Sequence, residues 1–181
     1  MELQLIRNAA MRLSYGGHHN LTDPFLSEPH ELESFGGISR NPTVALPISP
    51  AAVIAGTELV IVSHLHSDHF DAAAQKALSP KVPIFCQPGD AERILEHGFQ
   101  SVTVVEDELD WQNIKIERTA GVHGTGVWAE RMGAVSGFLF HISGRAVNLL
   151  GRGHDLVRSS CGNYFYSQAG CDHHALIRRT L

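Results

Sequence analysis

The sequence predicts an α/β protein in which strands alternate with short helices. Two N-terminal segments, 3–7 and 10–15, alternate apolar and polar side chains, as strands with one exposed face do. Residues 59–62 form a largely β-branched apolar run that suits a buried strand. From residue 72 onwards, helix-forming segments alternate with short apolar ones, which predicts a mainly parallel or mixed sheet covered by helices.

The chain opens with a predicted β-meander. Its third strand, 18–22, follows two glycines and ends before Asp23. His18 and His19 are expected at a turn or at a sheet edge. Residues 27–50 are rich in Gly, Pro, Ser and Asn, which predicts a long loop. That loop either borders a substrate pocket or is a plain surface excursion.

Capping residues mark the helices. Ser49 followed by Pro50 predicts a short helix to residue 54, and Asp71 is placed to cap a helix over 72–78. His141, in the last strand, is interpreted as structural. The other predicted elements are strand 82–86, helix 90–97, strand 101–105, a charged turn at 106–110, strand 111–119 and strand 135–142.

Composition excludes several classes of protein. The 181 residues suit one domain with a real core, and a net charge of −5 without a long basic run argues against nucleic acid as a partner. No window is apolar enough to span a membrane, and residues 1–10 do not resemble a signal peptide. Cys86, Cys161 and Cys171 have no paired spacing, so we expect reduced thiols and a cytoplasmic location.

A polar cluster follows the buried strand at 59–62. It runs Ser63-His64-Leu65-His66-Ser67-Asp68-His69 and leads into the helix that Asp71 caps. Neutral imidazoles and carboxylates are the ligands that Zn²⁺ and similar ions accept. In an extended backbone, the alternate residues His64 and His66 can face one ion, while Asp68 and His69 point elsewhere. The cluster therefore predicts a metal site at the C-terminal edge of a sheet, in preference to a solvated histidine-rich loop.

This cluster resembles the His-x-His-x-Asp-His signature of the metallo-β-lactamase superfamily. Flanking segments are similar to its lactonase-like branch, which includes L-ascorbate-6-phosphate lactonase. The likeness extends from about residue 1 to residue 143. The flanking segments are Leu21-Thr22-Asp23-Pro24-Phe25-Leu26, Phe85-Cys86-Gln87-Pro88-Gly89-Asp90, His123-Gly124-Thr125-Gly126 and Arg131-Met132-Gly133.

The resemblance implies an αββα sandwich and a hydrolase that uses a metal-activated water. His64, His66 and His123 would hold one ion; Asp68 and His69 would begin a second site, and Asp68 could also orient the attacking water. The expected cofactor is Zn²⁺, one or two ions, with Mn²⁺ as an alternative. A lactone or another small ester, phosphorylated or not, is the expected substrate, and the charge balance disfavours the nuclease members of the superfamily. Asp23 is either a supporting residue behind the metal ligands or a turn-forming residue.

The likeness stops after residue 143. The family's Gly-Asp-Thr, whose Asp bridges two metals, is absent from 145–157, and the last histidine is not identifiable. When residues 145–157 are translated back into codons and the reading frame is shifted one nucleotide further on, the new codons can encode Gly-Asp-Thr. In the same shifted frame, the codons of residues 168–174 can encode a segment that resembles a buried strand. We therefore predict an incomplete metallo-β-lactamase-like domain over 1–143 and an aberrant, frameshifted tail over 144–181.

Two alternatives remain open for this tail. It could be a genuine variant that supplies new metal ligands, or the chain could be a non-catalytic zinc-binding remnant of a hydrolase. An unfinished sandwich would also leave an apolar sheet face open, which favours association into a homo-oligomer. The candidate new ligands are His154, Asp155, Asp172, His173 and His174.

Overall fold

The computed structural model describes residues 1–33, 38–123, 125–142, 145–149 and 155–156. For Trp128 and for the last two of these ranges, it describes the backbone only. The described elements form two sheets and four helices. No helix among the described residues is both long and apolar enough to cross a membrane.

The first sheet has six strands in sequential order. Its first three strands are antiparallel, which confirms the predicted meander, and the rest pair in parallel. The parallel pairing brings the C-terminal ends of β4 (Leu59–Val62) and β5 (Ile84–Cys86) to the same edge of the sheet. The strands are β1 (Glu2–Arg7), β2 (Ala10–Tyr15), β3 (His18–Thr22), β4 (Leu59–Val62), β5 (Ile84–Cys86) and β6 (Val102–Val104).

The second sheet is antiparallel. Its strands are β7 (Glu108–Trp111), β8 (Ile114–Val122), β9 (Ala134–Ile142), β10 (Arg145–Leu149) and β11 (Asp155–Leu156). They lie in the order β10-β9-β8-β11, with β7 paired to β8. The longest pairing, β8 with β9, runs from Lys115 opposite His141 to Val122 opposite Ala134. Strands β10 and β11 lie within the predicted tail.

Strand β4 is buried on both faces. Val60 and Val62 join the cluster that contains residues of helices α1 (Pro50–Ile54), α2 (Ala72–Ala77) and α3 (Ala91–Glu96). The alternate residues of β4 belong instead to the cluster between the two sheets. One sheet face therefore packs on helices and the other on a second sheet, which confirms the predicted α/β sandwich class.

The sequence-based prediction was wrong between residues 106 and 119. The turn lies at Gln112 and Asn113, where Gln112 adopts a φ of 56°, and the segment expected to turn contributes strand β7. Leu109 and Trp111 are half-buried in the cluster between the sheets, whereas Glu108 and Asp110 are exposed. The alternation of a strand was therefore present, but the acidic residues obscured it.

Helix α4 (Val127–Met132) was not predicted. It connects β8 to β9 and lies between Gly126 and Gly133, which have φ values of 57° and 73°. Both glycines permit a left-handed backbone that other residues rarely adopt. The helix is therefore bounded by two sharp changes of chain direction.

The predicted caps are confirmed. Ser49 Oγ accepts from the Ala52 N–H, and Asp71 Oδ1 accepts from the Ala74 N–H at 2.8 Å. Asp71 is buried, and its Oδ2 also accepts from the Leu26 and Ser27 N–H groups at 3.0 and 2.6 Å. One carboxylate thus caps α2 and anchors the start of the long loop.

Replacing Asp71 with alanine is expected to lower the free energy of unfolding by about 3 kcal/mol, because three backbone N–H groups lose their acceptor. Urea unfolding measures the change. Ser49→Ala is the matched control, since it removes an exposed cap alone, at a cost of about 1 kcal/mol. Equal losses in the two variants would contradict the anchoring role.

Candidate metal centre

Three imidazoles meet at the C-terminal edge of the first sheet. His64 and His66 follow the end of β4, and His123 follows the end of β8. His64 Nε2 lies 3.0 Å from His66 Nδ1 and 3.1 Å from His123 Nε2. Each of the three offers a ligand atom, and these atoms all lie within 4.8 Å of one another.

This arrangement suits a tetrahedral metal ion. Two nitrogens bound to zinc at about 2.0–2.1 Å and at a tetrahedral angle are about 3.3 Å apart. The observed separations of 3.0 and 3.1 Å therefore need to widen by only a few tenths of an ångström. Three protein ligands also leave the fourth position of a tetrahedral ion open, as catalytic zinc sites require.

Ser63 and Asp23 fix the orientation of His64. The Ser63 hydroxyl donates to Asp23 Oδ2 at 2.7 Å, so it can only accept from His64 Nδ1–H, which lies 2.9 Å away. The proton on Nδ1 leaves the lone pair of His64 on Nε2, the atom that faces the other two rings. The hydrogen bonds thus select the tautomer that a metal ligand needs.

His66 is held by helix α4. Burial lowers the pKa of His66, and a hydrogen bond between the ring and the Met132 backbone opposes this shift, so the Met132 carbonyl is the acceptor and the imidazole donates. His66 Nδ1 faces His64. The unpredicted helix therefore orients one of the three rings.

Asp23 has both of the roles considered for it. It turns the chain with a φ of 42°, and its buried carboxylate accepts from the Ser63 N–H, the Ser63 hydroxyl and His69 Nδ1–H at 2.7–2.9 Å. These bonds join the end of β3 to the residues after β4. Asp23 thus supports His64 from behind without contacting the space between the three rings.

Asp68 and His69 lie beside the three rings but outside their cluster. His69 is buried, and its ring centroid is 3.9 Å from that of His64, while its Nδ1 donates to Asp23. Asp68 is half-buried, and its charge opposes the lowering of the His66 pKa that burial causes. Within the described residues, the only group of three or more metal-capable ligands contains neither of them. Their assignment to a second metal stays a prediction.

Other histidines pair with residues away from the metal centre. His18 begins β3, at the end of the first sheet opposite the three imidazoles, which agrees with the expected turn or edge position. Its Nδ1 lies 2.9 Å from Glu58 Oε2, and its ring meets that of Trp111 edge-on. His141 bonds Glu117 across the second sheet, which agrees with its structural interpretation. His154, Asp172, His173 and His174 lie outside the described residues, and Asp155 is described only as the backbone partner of Val122.

Burial, and after it the charge of the neighbouring imidazoles, lowers the pKa of His64 from 6.5 to about 2. The folded chain thus keeps His64 neutral, while the unfolded chain takes up a proton near pH 6.5. Stability of the metal-free chain is therefore expected to fall as the pH drops below 6.5, and the decline continues toward pH 2. This residue alone contributes about 1.4 kcal/mol per pH unit within that window.

Denaturant unfolding in the presence of a chelator, at several values between pH 7.5 and 5, measures this decline. His64→Asn removes the buried imidazole, so its stability is expected to vary less steeply with pH. The same slope in both proteins would show that His64 does not couple folding to pH.

Sequence reasoning missed three contributors to the centre. Ser63 was read as part of the polar cluster without a role, although its position beside His64 was a usable signal. Met132 acts through its backbone carbonyl, which no residue type reveals. Gln87, buried at the end of β5, binds the residue that begins β9. Its long-range partner could not be read from the local sequence.

Comparisons with known proteins agree with this geometry. Residues 18–151 match the family described as "Beta-lactamase superfamily domain". UPF0173 protein YddR of Bacillus subtilis is 35% identical over 146 residues, which cover 77% of this chain and 58% of that protein.

Two solved structures are similar at 31% and 34% identity. The first, "a possible metal-dependent hydrolase from Veillonella parvula", has a TM-score of 0.79 and covers 87% of this chain and 64% of its own. The second, "isothiocyanate hydrolase from Delia radicum gut bacteria", has a TM-score of 0.73, with coverages of 78% and 59%. The chain thus spans less than two thirds of the length of each of these three relatives. By its motif, its clustered imidazoles and these matches, it belongs to the beta-lactamase superfamily domain family.

Proposed function

We propose that this chain is part of a metal-dependent hydrolase in which His64, His66 and His123 hold a divalent cation. The main support is that three ring nitrogens converge. In addition, two of these rings donate hydrogen bonds to protein acceptors, His64 to Ser63 and His66 to Met132. Such ties are what orient the imidazole ligands of metal sites. Zinc is the proposed ion because the donors are all nitrogen and leave one position open, and manganese is the alternative.

A cation bound there supplies Lewis acidity, which makes water a usable nucleophile near neutral pH. Residues of the chain orient the ligands, keep them neutral and position the water. Ser63 and Met132 keep two of the rings in position, and the low pKa of His64 keeps that ligand neutral. Asp68 is half-buried beside His66, where its carboxylate is proposed to orient the attacking water. His69 and Asp68 are proposed to begin a second metal site.

The proposed substrate is a small ester or lactone. The support is the likeness of segments 21–26, 85–90 and 123–126 to the ascorbate-6-phosphate lactonase branch. The similar isothiocyanate hydrolase acts, by its name, on another small molecule with an electrophilic carbon. Addition of water to such a carbon is the chemistry that these substrates share.

A cytoplasmic location remains our proposal. Its support is the thiol of Cys86, which is free and buried, and burial raises its pKa to about 12.

A second candidate is a zinc-binding remnant without turnover. It is favoured by the absence of Gly-Asp-Thr from 145–157. We retain the proposal that 1–143 is the domain proper and that the frame changes before 144–181. Sequencing the gene and its transcript across residue 143 tests this, and an uninterrupted frame would contradict the frameshift.

Metal analysis followed by turnover separates the two candidates. The purified chain is loaded with zinc or manganese, the metal per chain is measured, and hydrolysis of a generic lactone, an ester and a phosphodiester is assayed. One or two ions with lactone or ester turnover supports the hydrolase. About one zinc without turnover supports the remnant, phosphodiester cleavage points to a nuclease, and no bound metal contradicts both proposals.

A further inference from the structure

Asp90 occupies the N-cap position of α3 but does not act as a cap. Its side chain makes no capping hydrogen bond to the helix, although an N-cap Asp usually makes one. Its Oδ2 instead accepts from Gln87 Nε2 at 3.0 Å. The carboxylate is half-buried, and burial raises its pKa. Gln87 therefore holds this carboxylate, and the backbone of the helix does not.

Gln87 is the fixed point of this arrangement. Only 6% of it is exposed, and its amide nitrogen donates both to Asp90 and to the Ala134 carbonyl at 3.1 Å. Its Oε1 accepts from the Ser136 hydroxyl at 2.9 Å, so its donors and its acceptor are all used. Ser136 also donates its backbone N–H to the Ser63 carbonyl. The network links β5, β9 and the residue that precedes His64.

The network holds Asp90 at the same edge of the first sheet as the metal centre. Val62 and Cys86 pair in register, so the chain segments that carry His66 and Asp90 leave the first sheet at the same edge. Both segments contact the chain where α4 ends and β9 begins, because His66 forms a hydrogen bond with Met132 and Gln87 forms one with Ala134. Burial lowers the pKa of His66 and raises that of Asp90, and the charge of each group opposes the shift of the other.

We propose that Asp90 is a specificity-determining residue whose negative charge makes the metal centre disfavour anionic substrates and favour neutral ones. The inference rests on the proposed function and narrows its substrate class to neutral lactones, esters or similar electrophiles over phosphorylated ones. A fixed carboxylate repels a like charge, and partial burial weakens the screening by water. Asp68 adds a second negative charge near His66, and the charge of Arg93 acts against burial to favour the ionised form of Asp90.

The test compares the wild-type chain with Asp90→Asn and with the control Glu92→Gln. Glu92 is exposed on the same helix, and its replacement removes the same charge outside the network. The metal-free proteins are alkylated at fixed pH with anionic iodoacetate or neutral iodoacetamide, and peptide mass spectrometry gives the rate at His66 and His123. The zinc-loaded proteins are titrated with inorganic phosphate by calorimetry. Asp90→Ser is a second variant in case Asp90→Asn does not fold.

In Asp90→Asn, the iodoacetate-to-iodoacetamide rate ratio and the phosphate affinity are both expected to rise about fivefold, and to change less than twofold in Glu92→Gln. An iodoacetate-to-iodoacetamide ratio in Asp90→Asn that stays within twofold of the wild-type ratio, or falls, would overturn the proposal. If neither imidazole is alkylated, unchanged phosphate affinity in Asp90→Asn would overturn it. Absence of zinc binding would contradict the proposed function, while the alkylation ratio still decides the role of Asp90.

Discussion

Replacing His123 with alanine is expected to lower the zinc affinity of the chain about a hundredfold to a thousandfold. Complete four-ligand zinc sites are stabilised by about 10–16 kcal/mol, so one ligand accounts for roughly 2.5–4 kcal/mol. His123 comes from a different sheet than His64 and His66, and no neighbouring residue in the sequence offers an equivalent donor. Competition with a chromophoric chelator measures the affinity.

His97→Ala is the matched control for this experiment. His97 is exposed at the end of α3 and should leave zinc binding unchanged. Circular dichroism of both variants checks that they fold. If His123→Ala retained the affinity of the wild-type chain, the ion would have to be held elsewhere.

Asp23→Asn is expected to have the second-largest effect, on stability and on metal binding together. Asparagine tolerates the φ of 42° at this position, so the change acts on hydrogen bonding and not on backbone strain. Its amide NH₂ group would face the Ser63 hydroxyl and His69 Nδ1–H, which are donors to Asp23. We expect a loss of about 2–3 kcal/mol in the free energy of unfolding and a 10–100-fold weaker zinc affinity.

Denaturant unfolding of the metal-free protein and zinc competition are measured on the same preparations. Asp107→Asn, on an exposed turn, is the control and should change neither quantity. A variant that lost stability but bound zinc as tightly as wild type would contradict the view that Asp23 orients His64 through Ser63.

Local signals predicted the first sheet well. The two-sided burial of β4 and the cap at Asp71 follow from an apolar run and from one carboxylate before a run of alanines. The motif between them placed His64 and His66 at the sheet edge, as observed. These features succeeded because each one depends on neighbours in sequence.

Contacts between distant segments could not be predicted from the sequence pattern. His123 joined the centre only through the family resemblance, since the lone histidine after β8 gave a weak signal of its own. Asp90 was read as the first residue of a helix, whereas its carboxylate turns away from that helix towards Gln87. Met132 contributes a carbonyl that any residue type would supply. Tertiary packing decided each of these cases.

X-ray absorption at the zinc edge, on the chain loaded with one equivalent of zinc, tests the central assignment most directly. Joint ligation by His64, His66 and His123 predicts a first shell with three imidazole nitrogens at about 2.0–2.1 Å and no sulfur, reduced to two imidazoles in His123→Ala. A sulfur shell near about 2.3 Å, or an identical spectrum in His123→Ala, would contradict it.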